Sequence, residues 1–193
     1  RRAVSRMPHR LNTADAKFEE QFSAFLATKR ESAPDVEAAV RDIINQVIAR
    51  GDEALIELTR KFDQLELAPE TLRVSDEEVE QAWKQADPEV IAALQLAHER
   101  IRAYHERQRP EDARYTDAIG AELGHRWTAV ESVGLYVPGG LASYPSSVLM
   151  NAVPAQVAGV PRIVMVVPSP RGELNPLVLA AARIAGIREI YRV

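Results

Sequence analysis

The chain has 193 residues, 46% of them apolar, with 28 acidic against 24 basic side chains and a formal charge of −4. That length supports one large domain or two small ones with a sizeable core, and so slight an acidity provides no field to hold a polyanion, which argues against nucleic acid as a partner. The lack of cysteine excludes a disulfide framework and any thiolate zinc site, and it fits a reducing compartment, so the cytoplasm is the expected location.

The basic opening RRAVSRMPHR leads into charged, amphipathic sequence rather than an apolar core of the secretory type. Residues 1–12 are therefore expected to be a disordered lead-in. No apolar run approaches the roughly 20 residues of a membrane span, and IVMVVP, the best candidate, stops after six. A soluble protein without a membrane partner is expected.

Residues 13–110 read as a helical region. After Pro34 and Asp35, the apolar positions Val36, Ala39, Val40, Ile43, Ile44, Val47 and Ile48 recur at three- and four-residue spacing until Gly51 stops the run. Asp52 is placed to cap a second helix carrying Leu55, Leu58 and Phe62. DQLELAPETLRVS then loses the period and reads as an irregular link. Ser75 with Glu78 three residues on forms a capping box, and Pro88 occupies a first-turn position ahead of EVIAALQLAHERIRAYHERQR.

Residues 111–193 change texture. AELGHRWTAV and SVGLYVP read as short strands, and SVLMNAVPAQVAG as a helix ended by Gly159, with Pro154 predicting a kink or break. RIVMVVP follows as a buried strand, LNPLVLAAARIAG as a helix closed by Gly186, and REIYRV as another strand. Strand, helix, strand, helix, strand is the pattern of a parallel sheet with right-handed crossovers. The fold class is therefore α/β, a helical N-terminal region followed by part of an incomplete Rossmann-like sheet. Because such sheets are covered on both faces, a chain stopping in a strand at Val193 is expected to be a fragment of a longer protein.

GLYVPGGLASYPSS, Gly134 to Ser147, passes from strand through a Pro-Gly-Gly break toward a helix, at the edge where open α/β sheets bind ligands. It contains neither G-x-G-x-x-G nor G-x-x-x-x-G-K-[ST]. Its pattern alone leaves two readings open, a ligand loop and a plain turn.

The block SVGLYVPGGLASYPSSVLMNAVPAQVAGVPRIVMVVPSP, continued by LNPLVLAAARIAGIREIYRV, resembles the histidinol dehydrogenase family, as does RGDEALIELTRKFD nearer the N-terminus. The resemblance implies a zinc- and NAD-dependent homodimer that oxidises L-histidinol to L-histidine through an aldehyde-level intermediate. It implies that Tyr136 contacts NAD, with Pro138 beside it, and that Phe62 lies near the cofactor. Gly139 and Gly140, without Cβ atoms, would let backbone approach the dinucleotide. The catalytic glutamate–histidine pair and the zinc ligands of the family belong beyond Val193, so no catalytic or metal residue is assigned in this chain. Without the resemblance, Tyr136 reads as an inward strand residue and Phe62 as a core anchor of its helix, since aromatics are mostly buried for packing. Dehydrogenases of other small polar alcohols, such as sulfopropanediol, look similar to this family, and a non-catalytic dimerisation or scaffolding module is the alternative from another class.

The histidines suggest no metal site. His98 and His105 are seven apart on one helix, about 10 Å by helical rise, too far to share an ion. His9 belongs to the lead-in and His125 adjoins a strand. Ser146 and Ser147 lack a G-x-S-x-G elbow and are expected to serve as N-cap residues.

Overall fold

A computed structural model describes residues 10–31, 33–138 and 144–193. The chain divides into two compact units, 1–54 and 55–193. The expected lead-in falls mostly outside the described residues and stays an expectation.

In the first unit, α1 (Phe18–Glu31) packs on α2 (Ala33–Arg50). Phe18 and Phe22 stack at 5.5 Å within α1. The expected amphipathic helix is present, but Ile43 and Val47 are only half-buried while Val36, Val40, Ile44 and Ile48 face solvent. Two helices have too little surface to surround an apolar stripe of that width. Gly51, at φ 58°, ends α2 in the left-handed conformation that favours glycine. Helix α3 (Asp52–Asp63) begins on Asp52 itself, so this residue is the first helical one rather than the cap. Its carboxylate still faces the positive end of the helix dipole.

The second unit is built on a three-stranded parallel sheet in the order β3 (Ser132–Tyr136), β4 (Arg162–Val167), β5 (Glu189–Arg192). Helices α6 (Pro145–Val157) and α7 (Pro176–Ile184) connect the strands. Leu135, Met165 and Ile190 are aligned across the strands and fully or nearly fully buried, in one cluster with Val148, Leu149 and Val153 of α6 and Val178 and Ala182 of α7. Both helices therefore cover the same face. The βαβαβ order and the α/β class expected from the sequence are present.

Five consecutive buried residues, Val178 to Ala182, show that α7 is enclosed on all sides, as its continuous apolar run requires. The enclosing layer is α4 (Asp76–Gln85), packed on α7, and α5 (Pro88–Glu106), packed on α6 and α7. Arg183 of α7 lies over the Trp83 ring at 4.5 Å and pairs with Glu80. Gln156 of α6 accepts from Arg102 of α5 and donates to the Ala185 carbonyl beyond α7. The Ser75 and Glu78 capping box at the start of α4 is formed in both directions, and Asp87 caps α5 ahead of Pro88.

Several local expectations need correction. Helix α6 runs through Pro154 without the break that was one of the two expectations, since proline removes only one backbone bond, the one to the Met150 carbonyl. Tyr144 is the N-cap residue and Pro145 the first helical one, so Ser146 and Ser147 lie inside the first turn and cap nothing. Proline's fixed φ and missing N–H suit that first position, which moves the helix start ahead of the serines. AELGHRWTAV supplies only β2 (Glu122–His125), paired antiparallel with β1 (Ala113–Thr116) in a hairpin whose turn is held by Asp117 Oδ1, accepting from Ile119 and Ala121 N–H. The link after α3 is less irregular than expected. It contains a 3-10 turn at Pro69–Thr71, and then Leu72 to Val74 runs antiparallel along β5, Val74 N–H donating to the Ile190 carbonyl and Arg192 N–H to the Leu72 carbonyl, each at 2.9 Å.

Arg192 extends this junction to α4, donating to both oxygens of Glu78 at 2.7 Å. Burial of Glu78 opposes its ionisation, but the Arg192 hydrogen bond and charge and the Ser75 contacts outweigh it and hold the carboxyl below its ordinary value. A depressed carboxylate contributes stability above the unfolded-state value of about 4.5, and that stability is lost as pH falls through the folded-state value. Thermal midpoints should therefore fall from pH 5 into more acidic solution, and Glu78→Gln should flatten that dependence. An unchanged acid limb in the variant would assign the loss to other carboxylates.

Candidate functional site

In an open parallel sheet the ligand edge is the one where the strands end at their carboxyl termini. Here that edge comprises Tyr136 to Pro138 after β3, Pro168 to Gly172 after β4, and Val193 after β5. The Tyr136 ring is 63% exposed although its neighbours Leu135 and Val137 are buried. This follows from strand alternation, which turns Tyr136 to the face that α6 and α7 leave open. Pro138 is half-buried. Gly139 and Gly140 lie outside the described residues.

Two features of this edge fit a polar ligand. Helix α6 starts there with no side-chain cap hydrogen bond, and the positive end of its dipole faces this edge. Ser169, just past the end of β4, is completely buried, and its Oγ has no hydrogen-bond partner among the described residues. A buried hydroxyl without a partner costs about 1–3 kcal/mol, so it marks a place where a partner is missing. The turn that follows contains Arg171 at φ 56° and Gly172 at φ 80°.

Phe62 is exposed near the C-terminal end of α3, with Lys61 Nζ 5.1 Å from its ring centre. Leu65, three residues on, packs against Gly172, where an added Cβ would stand 3.3 Å from Leu65 Cδ1. That contact brings the end of α3 to the carboxyl edge of the sheet. No direct contact joins Phe62 to Tyr136 among the described residues. Ser169 was not singled out in the sequence, and nothing in V-P-S-P distinguishes a buried unpartnered serine from a turn residue.

The histidines lie elsewhere. His98 and His105 are half-buried on α5, and burial together with the Arg102 charge lowers the His98 pKa. His125 is exposed, with Nε2 3.1 Å from the Glu111 carbonyl oxygen; His9 lies outside the described residues. Among the described residues no group of three or more His, Asp or Glu side chains stands where it could hold a metal ion, and no helix is long and apolar enough to cross a membrane.

A sequential parallel β3–β4–β5 sheet with α6 and α7 on one face defines an α/β protein of Rossmann-like kind. The model of the histidinol dehydrogenase family matches residues 26–193. The chain is 62% identical over 183 residues to a histidinol dehydrogenase of Mesorhizobium japonicum, covering 95% of this chain and 43% of that protein. It is 62% identical over 187 residues to that of Bradyrhizobium diazoefficiens, covering 97% and 43%. A crystal structure of histidinol dehydrogenase from Elizabethkingia anophelis superposes with a TM-score of 0.77 at 32% identity, over 82% of this chain and 36% of that one. The chain belongs to the histidinol dehydrogenase family, and it spans less than half the length of the curated relatives it matches.

Proposed function

We propose that this chain is the N-terminal part of a cytoplasmic, homodimeric enzyme that oxidises L-histidinol to L-histidine through L-histidinal, using NAD and zinc. The observation that carries this reading is the family match across residues 26–193, together with relatives of that name at 62% identity. Oxidation of an alcohol to an acid through the aldehyde takes two hydride transfers, and the dinucleotide supplies the hydride acceptor when bound.

The share of this chain is to bind and orient that cofactor. Tyr136 presents an exposed ring at the end of β3, and Pro138 continues the same wall. Gly139 and Gly140 would allow close backbone approach. Ser169 offers a buried hydroxyl that lacks a partner among the described residues, and Phe62 lies on the helix whose continuation reaches the Gly172 turn. Residues 111–193 would thus form the first part of the NAD-binding domain. The acid–base pair and the zinc ligands belong to the remainder of the longer protein, so residues 1–193 alone should not turn over.

The test is NADH formation from L-histidinol, NAD and zinc by the polypeptide continued to the length of its relatives. Two NADH per histidinol are expected. No NADH, or a clear preference for a sulfonated diol over histidinol, would overturn the assignment.

A further inference from the structure

Strand β5 is held near each end by an ion pair, and the two pairs differ in kind. At the amino edge, Arg162 donates to both oxygens of Glu189 across the β4–β5 ladder, and the arginine side chain is 59% exposed. At the carboxyl edge, Arg192 donates to both oxygens of Glu78, and the arginine side chain is only 13% exposed. A pair drawn that far out of water gains little stability over an apolar pair of the same size. What it does supply is a single fixed geometry.

That geometry reaches the ligand edge of the sheet. Glu78 is the third residue of α4 and accepts from the Ser75 N–H at 2.9 Å, which ties its carboxylate to the start of the helix. Arg192 is in register with Val167, and its own N–H donates to the Leu72 carbonyl. The next residue, Val193, donates its N–H to the Val167 carbonyl and accepts the Ser169 N–H. A continuous path therefore runs from the start of α4 through Glu78, Arg192 and Val193 to Ser169.

The links along this path are unequal. Arg192 is held to Glu78 at 2.7 Å and to Leu72 at 2.9 Å. Val193 is held to Val167 at 3.3 Å and to Ser169 at 3.4 Å, beyond the usual range of about 2.7–3.2 Å. The carboxyl end of β5 thus takes its position from α4 and Leu72 more than from its neighbour β4. Among the described residues, two buried side-chain polar atoms lack a hydrogen-bond partner, Ser169 Oγ and Arg192 Nε, and both belong to this path. Leaving such donors unpaired lowers stability, so position is kept here at the expense of stability.

We propose that Glu78 and Arg192 are positioning residues for the dinucleotide: by pinning the end of β5 to α4 they hold the Ser169 and Val193 part of the ligand edge in the geometry that receives the cofactor. Neither side chain touches the cofactor itself. This rests on the cofactor reading above and adds to it the residues that keep the edge in its binding geometry.

Steady-state kinetics of the full-length enzyme test it, using Glu78→Gln, Arg192→Gln, the double variant, and Arg162→Gln, which breaks the pair at the opposite end of the same strand. Either single variant should raise the KM for NAD about tenfold while kcat stays within about twofold. The double variant should raise it no further, because the two residues act as one unit. Arg162→Gln should leave it unchanged. A purely structural pair would lower the unfolding midpoint without moving KM. A KM for NAD unchanged in Glu78→Gln, or raised equally by Arg162→Gln, would overturn the proposal. Glu78→Gln keeps the size and shape of a partly exposed side chain, so it decides the matter even if Arg192→Gln does not fold. Wild-type protein that binds no NAD in a calorimetric titration would overturn the cofactor reading itself, which separates the two failures.

Discussion

Leu149→Ala should destabilise the α/β unit by about 3–5 kcal/mol, the range for removing a fully buried leucine whose neighbours collapse only partly into the cavity. Leu149 is completely buried on α6, and its cluster includes Leu135 and Met165 of the sheet and Val178 of α7. Little can move to fill the space. Met150, the next residue, is 57% exposed on the same helix, and Met150→Ala should change stability by no more than about 0.5 kcal/mol. The measurement is denaturant unfolding of the full-length protein carrying each variant, comparing midpoints at unchanged slope. Equal effects at the two positions would contradict the burial pattern of α6.

Tyr136→Ala should weaken NAD binding roughly tenfold or more, the scale of losing an aromatic contact together with the surface it covers. Tyr136→Phe, which keeps the ring, should retain most of the affinity. Because the ring is largely exposed and packs into no core, the unfolding midpoint should barely move in either variant, which separates a binding role from a structural one. Titration calorimetry on the full-length protein reads the effect without requiring turnover. An unchanged Kd in Tyr136→Ala would remove this residue from the site.

Much of the fold was legible because the signals are local. The capping box at Ser75 and Glu78, the Asp87–Pro88 start of α5, and the glycine stops at Gly51, Gly159 and Gly186 depend on backbone conformations that neighbouring residues dictate. The corrections came where two local rules competed. Proline at 145 claimed the first position of α6 ahead of the serines, and Pro154 remained inside the helix, where it removes a single backbone hydrogen bond while the buried Leu149, Ala152 and Val153 hold the helix in place.

The candidate site was legible only in part. Tyr136 stood out through resemblance to a family, since an aromatic in a strand is ordinarily a packing residue. Ser169 was not visible, because its distinction is a buried hydroxyl without a partner, and partners are supplied by residues distant in sequence.

By itself the sequence determined the class of fold, the order of strands and helices from Ser132 onward, and family membership, because periodicity, capping and motif identity are properties of contiguous residues. Only the tertiary structure decided that α4 and α5 enclose α7 and α6, that Leu72 to Val74 closes one edge of the sheet while no described residue pairs along the outer edge of β3, and that Tyr136 faces away from α6 and α7. Those are pairings between segments tens of residues apart. They are settled by which apolar faces can be buried together and which backbone groups can be satisfied at once, a competition no single stretch of sequence contains.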